Sequence, residues 1–264
     1  MKSSYHAVAV SCHSNFSPTP ACAPLSGIDY YGETRPVSET PWDFFEFLPL
    51  DRRNLVCSIG EVNGKGIAAR FTMASLQAFL RGLTTGSLAH PPSVRSGSWH
   101  HRAGIAAIVR DLNQAVCDIS PNGFYASLFY AWVDRAHGQL HYVSAGHVPV
   151  LLVQRDGARV HRLENTGTVL GLSLRVGFHH RTVEIENGDL LIAASDGVTD
   201  CLTEAEILHM ALRYPKPRPI ELVHEMLDAA RPAADRTSLA IRFQDVGQGR
   251  NVESAAAELA FSAA

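Results

Sequence analysis

The chain has 264 residues, 46% of them hydrophobic and 19% charged, a balance that supplies a sizeable core and excludes disordered and fibrous classes. A formal net charge of -3 gives no general electrostatic footprint for nucleic acid, and no apolar run approaches membrane-spanning length. Five scattered cysteines without a Cys-x-x-Cys pair indicate neither a disulfide framework nor a zinc knuckle, and no pair among the thirteen histidines has metal-ligand spacing on a helical pattern. The N-terminus lacks the charged-then-apolar build of a leader, so a cytoplasmic location with no membrane partner is expected.

In chain order, residues 1–26 carry no sustained periodicity and read as a flexible lead-in, followed by a domain over 27–244 and a tail over 245–264 that is expected to fray. A first strand is predicted from Ile28 to Arg35, ended by Pro36. Trp42 to Leu50 and Leu55 to Ile59 form a hairpin across the turn Asp51-Arg52-Arg53-Asn54, which brings Asp43 and Glu61 to the same end. Glu61 lies in Ile59-Gly-Glu-Val-Asn-Gly-Lys-Gly66, where an apolar strand delivers one carboxylate to a glycine-rich turn before a helix. That turn is not a P-loop, because three residues rather than four separate Gly60 from Gly64, and Gly66 rather than Ser or Thr follows Lys65.

A helix is predicted from Gly66 to Leu83, with one apolar stripe of Ile67, Phe71, Ala74 and Ala78 and a second of Met73, Leu76, Leu80 and Leu83. A helix so widely apolar is expected to be largely buried. Thr84 to Arg102 reads as a mobile loop, and Ile105 to Ile119 as a second helix. Short strands follow at Phe124–Asp134, Leu140–Ala145, Val150–Gln154, Arg159–Leu163, Thr182–Ile185 and Leu190–Ala194. Helices near Thr203–Arg213 and Arg218–Ala230 and a last strand, Ser238–Phe243, complete the chain. Strands in long runs with helices in pairs indicate an α+β sandwich rather than alternating βαβ units.

Asp196, in Leu190-Leu-Ile-Ala-Ala-Ser-Asp-Gly197, ends an apolar strand as Glu61 does, and Asp235 precedes the last strand. Carboxylates at strand ends can supply oxygen ligands to Mg²⁺ or Mn²⁺, although such residues also serve simply as turn formers.

Pro41-Trp-Asp-Phe-Phe-Glu-Phe47, the Glu61 turn, Phe124-Tyr-Ala-Ser-Leu-Phe129, Ser144-Ala-Gly-His147, Leu170-Gly171 and Ser195-Asp-Gly-Val-Thr-Asp200 fall in the order found in bacterial metal-dependent protein phosphatases. The sequence resembles the SpoIIE/RsbU-type branch of the protein phosphatase 2C superfamily from about Ile28 to Phe243. The resemblance implies two stacked, mainly antiparallel β-sheets flanked by helices, holding two Mn²⁺ or Mg²⁺ ions that activate a water against a phosphoserine or phosphothreonine. By the same resemblance Asp43 and Asp196 are metal ligands, Glu61 stands where a bridging aspartate is usual, and Val62 lends its carbonyl. His147 shapes its turn, no protein nucleophile is needed, and Arg35 is a candidate for phosphate contact. The implied partner is a phosphorylated regulatory protein such as an anti-sigma-factor antagonist.

The sequence departs from the family pattern at the carboxylates. Glu61 is longer than aspartate by one methylene, about 1.5 Å of reach. Where an Asp-Asp pair is usual, it has Ala234-Asp235, which removes the ligand-bearing first position and leaves Asp235 as the possible substitute. Two functions therefore stay open: a phosphatase, with activity weakened by these changes, or a catalytically impaired phosphatase fold used as a phosphoprotein-binding or scaffold module.

Overall fold

The computed structural model describes residues 8–10, 25–37, 41–64, 66–88, 99–120, 123–213 and 215–244. Two antiparallel sheets stack face to face with helices on both outer surfaces. Strands β1 (Val8–Val10), β2 (Ile28–Arg35), β7 (Val150–Val153), β8 (Val160–Leu163), β10 (Leu190–Ala194) and β11 (Arg236–Phe243) form one sheet in the order β1-β2-β11-β10-β7-β8. Strands β3 (Asp43–Pro49), β4 (Asn54–Asn63), β5 (Tyr125–Asp134), β6 (Gln139–Ala145) and β9 (Arg181–Glu184) form the other in the order β3-β4-β5-β6-β9. Helices α1 (Gly66–Leu88) and α2 (Trp99–Ile119) cover the five-stranded sheet, and α3 (Asp196–Thr199), α4 (Glu204–Leu212) and α5 (Pro219–Ala229) belong to the six-stranded side.

The layering follows from period-two alternation along strands that are buried on both faces. On β4, Leu55, Cys57 and Ile59 enter the core between the sheets, while Val56 and Val62 enter the core under α1 and α2. On β10, Leu191 and Ala193 face the inter-sheet core, and Leu190, Ile192 and Ala194 face the helices α4 and α5. Leu239, Ile241 and Phe243 of β11 complete the inter-sheet row.

Several expectations are corrected here. Val8–Val10, inside the expected lead-in, pairs with β2 through Val8↔Thr34. Strand β4 runs past Ile59 to Asn63, so Glu61 sits in the ladder opposite Asp43 rather than in the turn after it. Helices α1 and α2 both extend into the expected loop, leaving residues 89–98 of it outside the described residues, with the tail over 245–264. The four-residue helix α3 had no sequence signal of its own.

Helix α1 is also less buried than its composition suggests. Met73, Leu76 and Leu80 lie in the core, but Ile67 is 85% and Phe71 64% exposed, with Ala74 and Ala78 exposed beside them. One face of the helix suffices to cover the sheet, and the first stripe points to solvent. Removing the Ile59 side chain to alanine should therefore cost about 2–5 kcal/mol in urea unfolding. Phe71→Ala should stay within about 0.5 kcal/mol of wild type. Equal losses from both would contradict this placement of α1.

Candidate active site

The rows that build the inter-sheet core end, at one edge, in polar side chains. Asp43 continues the row of Phe45 and Phe47 on β3, and Glu61 continues that of Leu55, Cys57 and Ile59 on β4. The register places Asp43 directly opposite Glu61. From the facing sheet, Ser195 follows the row of Leu191 and Ala193, and Thr237 precedes Leu239 on β11. The same alternation that packs the core thus delivers carboxylates and hydroxyls to one end of it.

Asp43 is buried to 3% exposure, and its carboxylate accepts hydrogen bonds from the Ser195 and Thr237 hydroxyls. Thr237 is itself fixed by a 2.8 Å hydroxyl contact to Thr34, and its backbone N–H donates to Ser195 Oγ at 3.0 Å. The second oxygen, Oδ2, is buried with no hydrogen-bond partner. Burial pushes the Asp43 carboxyl up to about 6 against those hydroxyl bonds, with Asp235 and Asp196 adding like-charge repulsion. Glu61 is pushed up further, to about 8, by burial first and then by the charges of Asp196 and Asp43. The closeness of the Asp196 carboxyl reinforces that rise, because two neighbouring carboxylates favour the neutral form of one.

Asp196 opens α3 at the surface, next to Gly197. A Cβ on Gly197 would fall 1.9 Å from the Asp235 carbonyl oxygen, so this turn packs on the backbone leading into β11 only because position 197 is glycine. In the β4–α1 turn the structural need lies at Gly66, whose φ is +84°; Gly60 is needed for space, since its Cβ would meet Ser127 O at 2.4 Å. Glu61, Asn63, Tyr125, Ser127, His147 and Asp196 line a cavity of about 210 Å³ at this edge. His147 is buried and donates from Nδ1 to the Val148 carbonyl at 2.8 Å, which fixes its neutral tautomer; burial lowers its basicity.

The structure gathers Asp43, Glu61 and Asp196, and places Asp235 close enough to act on the first two. Asp235 is committed elsewhere, however: Oδ1 accepts from Val37 N–H at 2.8 Å and Oδ2 from Trp42 N–H at 2.7 Å. It ties the segment before β3 to β11. The Val62 side chain is buried in the helix-side core and its N–H donates to Trp42 O at 3.0 Å. Arg35 is not brought to the cluster. Its guanidinium pairs with Glu33 at 2.8 Å and with Asp228 of α5, on the helix-facing side of β2. Ser195 and Thr237, which hold Asp43, have no sequence signal of their own as site residues; the available cue is position, Ser195 immediately before Asp196 and Thr237 two residues after Asp235.

These groups fit a hard divalent cation. The donors are oxygens, one of them is buried without a partner, and a cation between Glu61 and Asp196 would offset the repulsion that raises the Glu61 carboxyl. Among the described residues no group of three or more His, Cys, Asp or Glu side chains is by itself placed to hold a metal ion. Mg²⁺-type ions need only one or two carboxylates when water and backbone oxygens complete the shell.

A family model described as Stage II sporulation protein E (SpoIIE) matches residues 51–244. The chain is 28% identical over 169 residues to phosphoserine phosphatase RsbU of Bacillus subtilis, covering 64% of this chain and 46% of that protein. It spans less than half the length of the curated relatives it matches. The structure of the RsbU and RsbW domains of Rv1364c from Mycobacterium tuberculosis is similar with a TM-score of 0.67 at 22% identity, covering 84% of this chain and 63% of that one. The catalytic domain of the serine/threonine phosphatase PstP, solved with two manganese ions, gives a TM-score of 0.64 at 17% identity over 83% of this chain and 99% of that one.

Raised carboxyl groups make the metal-free fold bind more protons than the unfolded chain. Their contribution to stability is complete below the unfolded values near 4 and is lost as pH rises through about 6 for Asp43 and about 8 for Glu61. In EDTA the melting temperature should therefore fall between about pH 5 and about pH 8, and Glu61→Gln should flatten that fall. Added Mn²⁺ should raise it more at the upper end, where it no longer competes with protons. A wild-type profile that matches the Glu61→Gln profile would contradict this account.

Proposed function

The chain belongs to the Stage II sporulation protein E (SpoIIE) family, and on that premise we propose that it is a metal-dependent protein serine/threonine phosphatase. The observation that carries the proposal is the unpartnered buried oxygen of Asp43, directly opposite Glu61 in the ladder, with Glu61 crowded by Asp196 at the wall of a cavity. An anion so placed is costly unless a proton or a cation accompanies it. The donor chemistry supports Mn²⁺ or Mg²⁺ as the cation. When bound, such an ion lowers the proton affinity of water and offsets charge on phosphoryl oxygens.

The residues have distinct tasks. Asp43, immobilised by Ser195 and Thr237, is a fixed anchor with one free oxygen. Asp196 is the exposed ligand on the solvent side, and Glu61 must give up its proton before it can bind a cation. Val62 would contribute its carbonyl. Asp235 acts as a positioning group, because both of its oxygens already hold backbone amides. His147, neutral and bonded to its neighbour, shapes the cavity wall rather than shuttling protons. Ala234, whose Cβ lies 3.4 Å from where a Gly197 Cβ would be, carries no carboxylate at this edge, so a second ion would be held more weakly than the first.

The substrate we infer is a phosphoserine or phosphothreonine on a regulatory protein, such as an anti-sigma-factor antagonist, supported by the similarity to phosphoserine phosphatase RsbU. Among the described residues no helix is long and apolar enough to cross a membrane.

Hydrolysis of a phosphoserine protein or p-nitrophenyl phosphate in millimolar Mn²⁺ should exceed that of Asp196→Asn by at least about tenfold. Rates no higher than that variant would overturn the phosphatase reading and leave phosphoprotein binding. Ser195→Ala should weaken Mn²⁺ binding by about 10–100-fold, the usual effect of removing a group that orients a ligand. Ala234→Asp combined with Glu61→Asp should raise the rate at a given Mn²⁺ concentration; a fall would contradict the roles given to these positions.

A further inference from the structure

A second cavity, of about 330 Å³, opens at the opposite end of the six-stranded sheet. Its lining includes Arg155, Lys216, Arg218 and Arg242, with Asp29 as the carboxylate among them. Asp29 and Arg242 are register partners at the start of β2 and the end of β11, whereas the Asp43 cluster meets the other ends of these strands.

Two of the four cations, Arg242 and Lys216, are held by backbone carbonyls rather than by carboxylates. Arg242 is half-buried, and its guanidinium donates to the Pro217 carbonyl at 3.0 Å and the Gly188 carbonyl at 3.5 Å. Lys216 Nζ donates to the Arg155 carbonyl. Arg218 alone has an ion-pair partner, Glu221 at 3.0 Å; among the described residues Asp29 is within salt-bridge distance of none of them. The nearby buried acid, Asp189, spends its oxygens on the backbone N–H groups of Arg155 and Glu186, each at 2.9 Å. The Arg155 stem lies on Gly188, where a Cβ would come within 2.6 Å of its Cγ. Burial holds the Arg242 guanidinium below its ordinary range, opposed by the charge of Asp29.

Carbonyl-anchored cations around a cavity keep their charge available, and Asp29, whose charge reaches Arg242 and Arg218 without forming an ion pair, offsets only part of the four positive charges. We propose that this cavity binds a small, multiply charged oxyanion of the pyrophosphate class, at a site separate from the carboxylate cluster. No aromatic ring is among the lining residues to stack on a base, and the volume exceeds what one phosphate fills, which favours linked phosphoryl groups over a nucleotide or a lone phosphate.

The test is calorimetric titration of the full chain with inorganic pyrophosphate, in EDTA so that no cation is titrated with it, at about 0.15 M salt. The expected result is a saturable one-site isotherm that weakens at least about tenfold in the double variant Arg155→Gln/Lys216→Gln, as the loss of charge-assisted hydrogen bonds requires. Both side chains are exposed, so the double variant should fold, and melting temperature checks this. Asp196→Asn should bind as wild type does, which separates this site from the proposed catalytic one. The proposal is overturned by absence of saturable heat, by unchanged binding in the folded double variant, or by loss of binding in Asp196→Asn.

Discussion

The arrangement depends on one unfavourable burial: the Asp43 carboxylate, placed at the end of an apolar inter-sheet core with one oxygen lacking any partner. Left alone, such a group takes up a proton, and the rise of its carboxyl to about 6 expresses that tendency. The hydroxyls of Ser195 and Thr237 keep it oriented without neutralising it. Glu61 and Asp196 compound the cost by crowding further negative charge around it, and burial together with that crowding pushes the Glu61 carboxyl up to about 8. A cation relieves all of these penalties at once. The fold maintains an electrostatic deficit at this edge of the sandwich, where the inter-sheet row ends in carboxylates.

What keeps the deficit in place is the sandwich. Asp43 and Glu61 are adjacent because β3 and β4 pair in that register, and a slip of one residue would turn both toward α1 and α2. Ser195 and Thr237 come from β10 and β11 of the other sheet, and Asp235 ties the approach to β3 onto β11 through Val37 and Trp42. Gly197 lets the Asp196 turn lie against that same segment. The site is therefore assembled from both sheets and is only as rigid as the packing between them.

Much of this was legible in the sequence. The aromatic segment Trp42–Leu50 and the apolar run Leu55–Ile59, joined by a short polar turn, mark the hairpin and put Asp43 and Glu61 at one end. The motifs around Glu61 and Asp196 pointed to the family that the matched region then established. Less legible were features that depend on contacts between distant strands. Arg35 read as a phosphate contact because nothing in the sequence shows Glu33 and Asp228 claiming it. Asp235 read as a ligand because its backbone partners lie about two hundred residues upstream. The exposed stripe of α1 misled for a different reason: periodicity shows that a helix has apolar faces, not how many of them have something to cover.

The central claim is that the Asp43 cluster is a cation site. Electron paramagnetic resonance of free Mn²⁺, titrated against the full chain near neutral pH, tests it without relying on turnover. The account predicts saturable loss of the free Mn²⁺ signal for the wild type and little or none for a folded Asp43→Asn variant. Equal uptake of Mn²⁺ by both proteins, or none by the wild type, would contradict it.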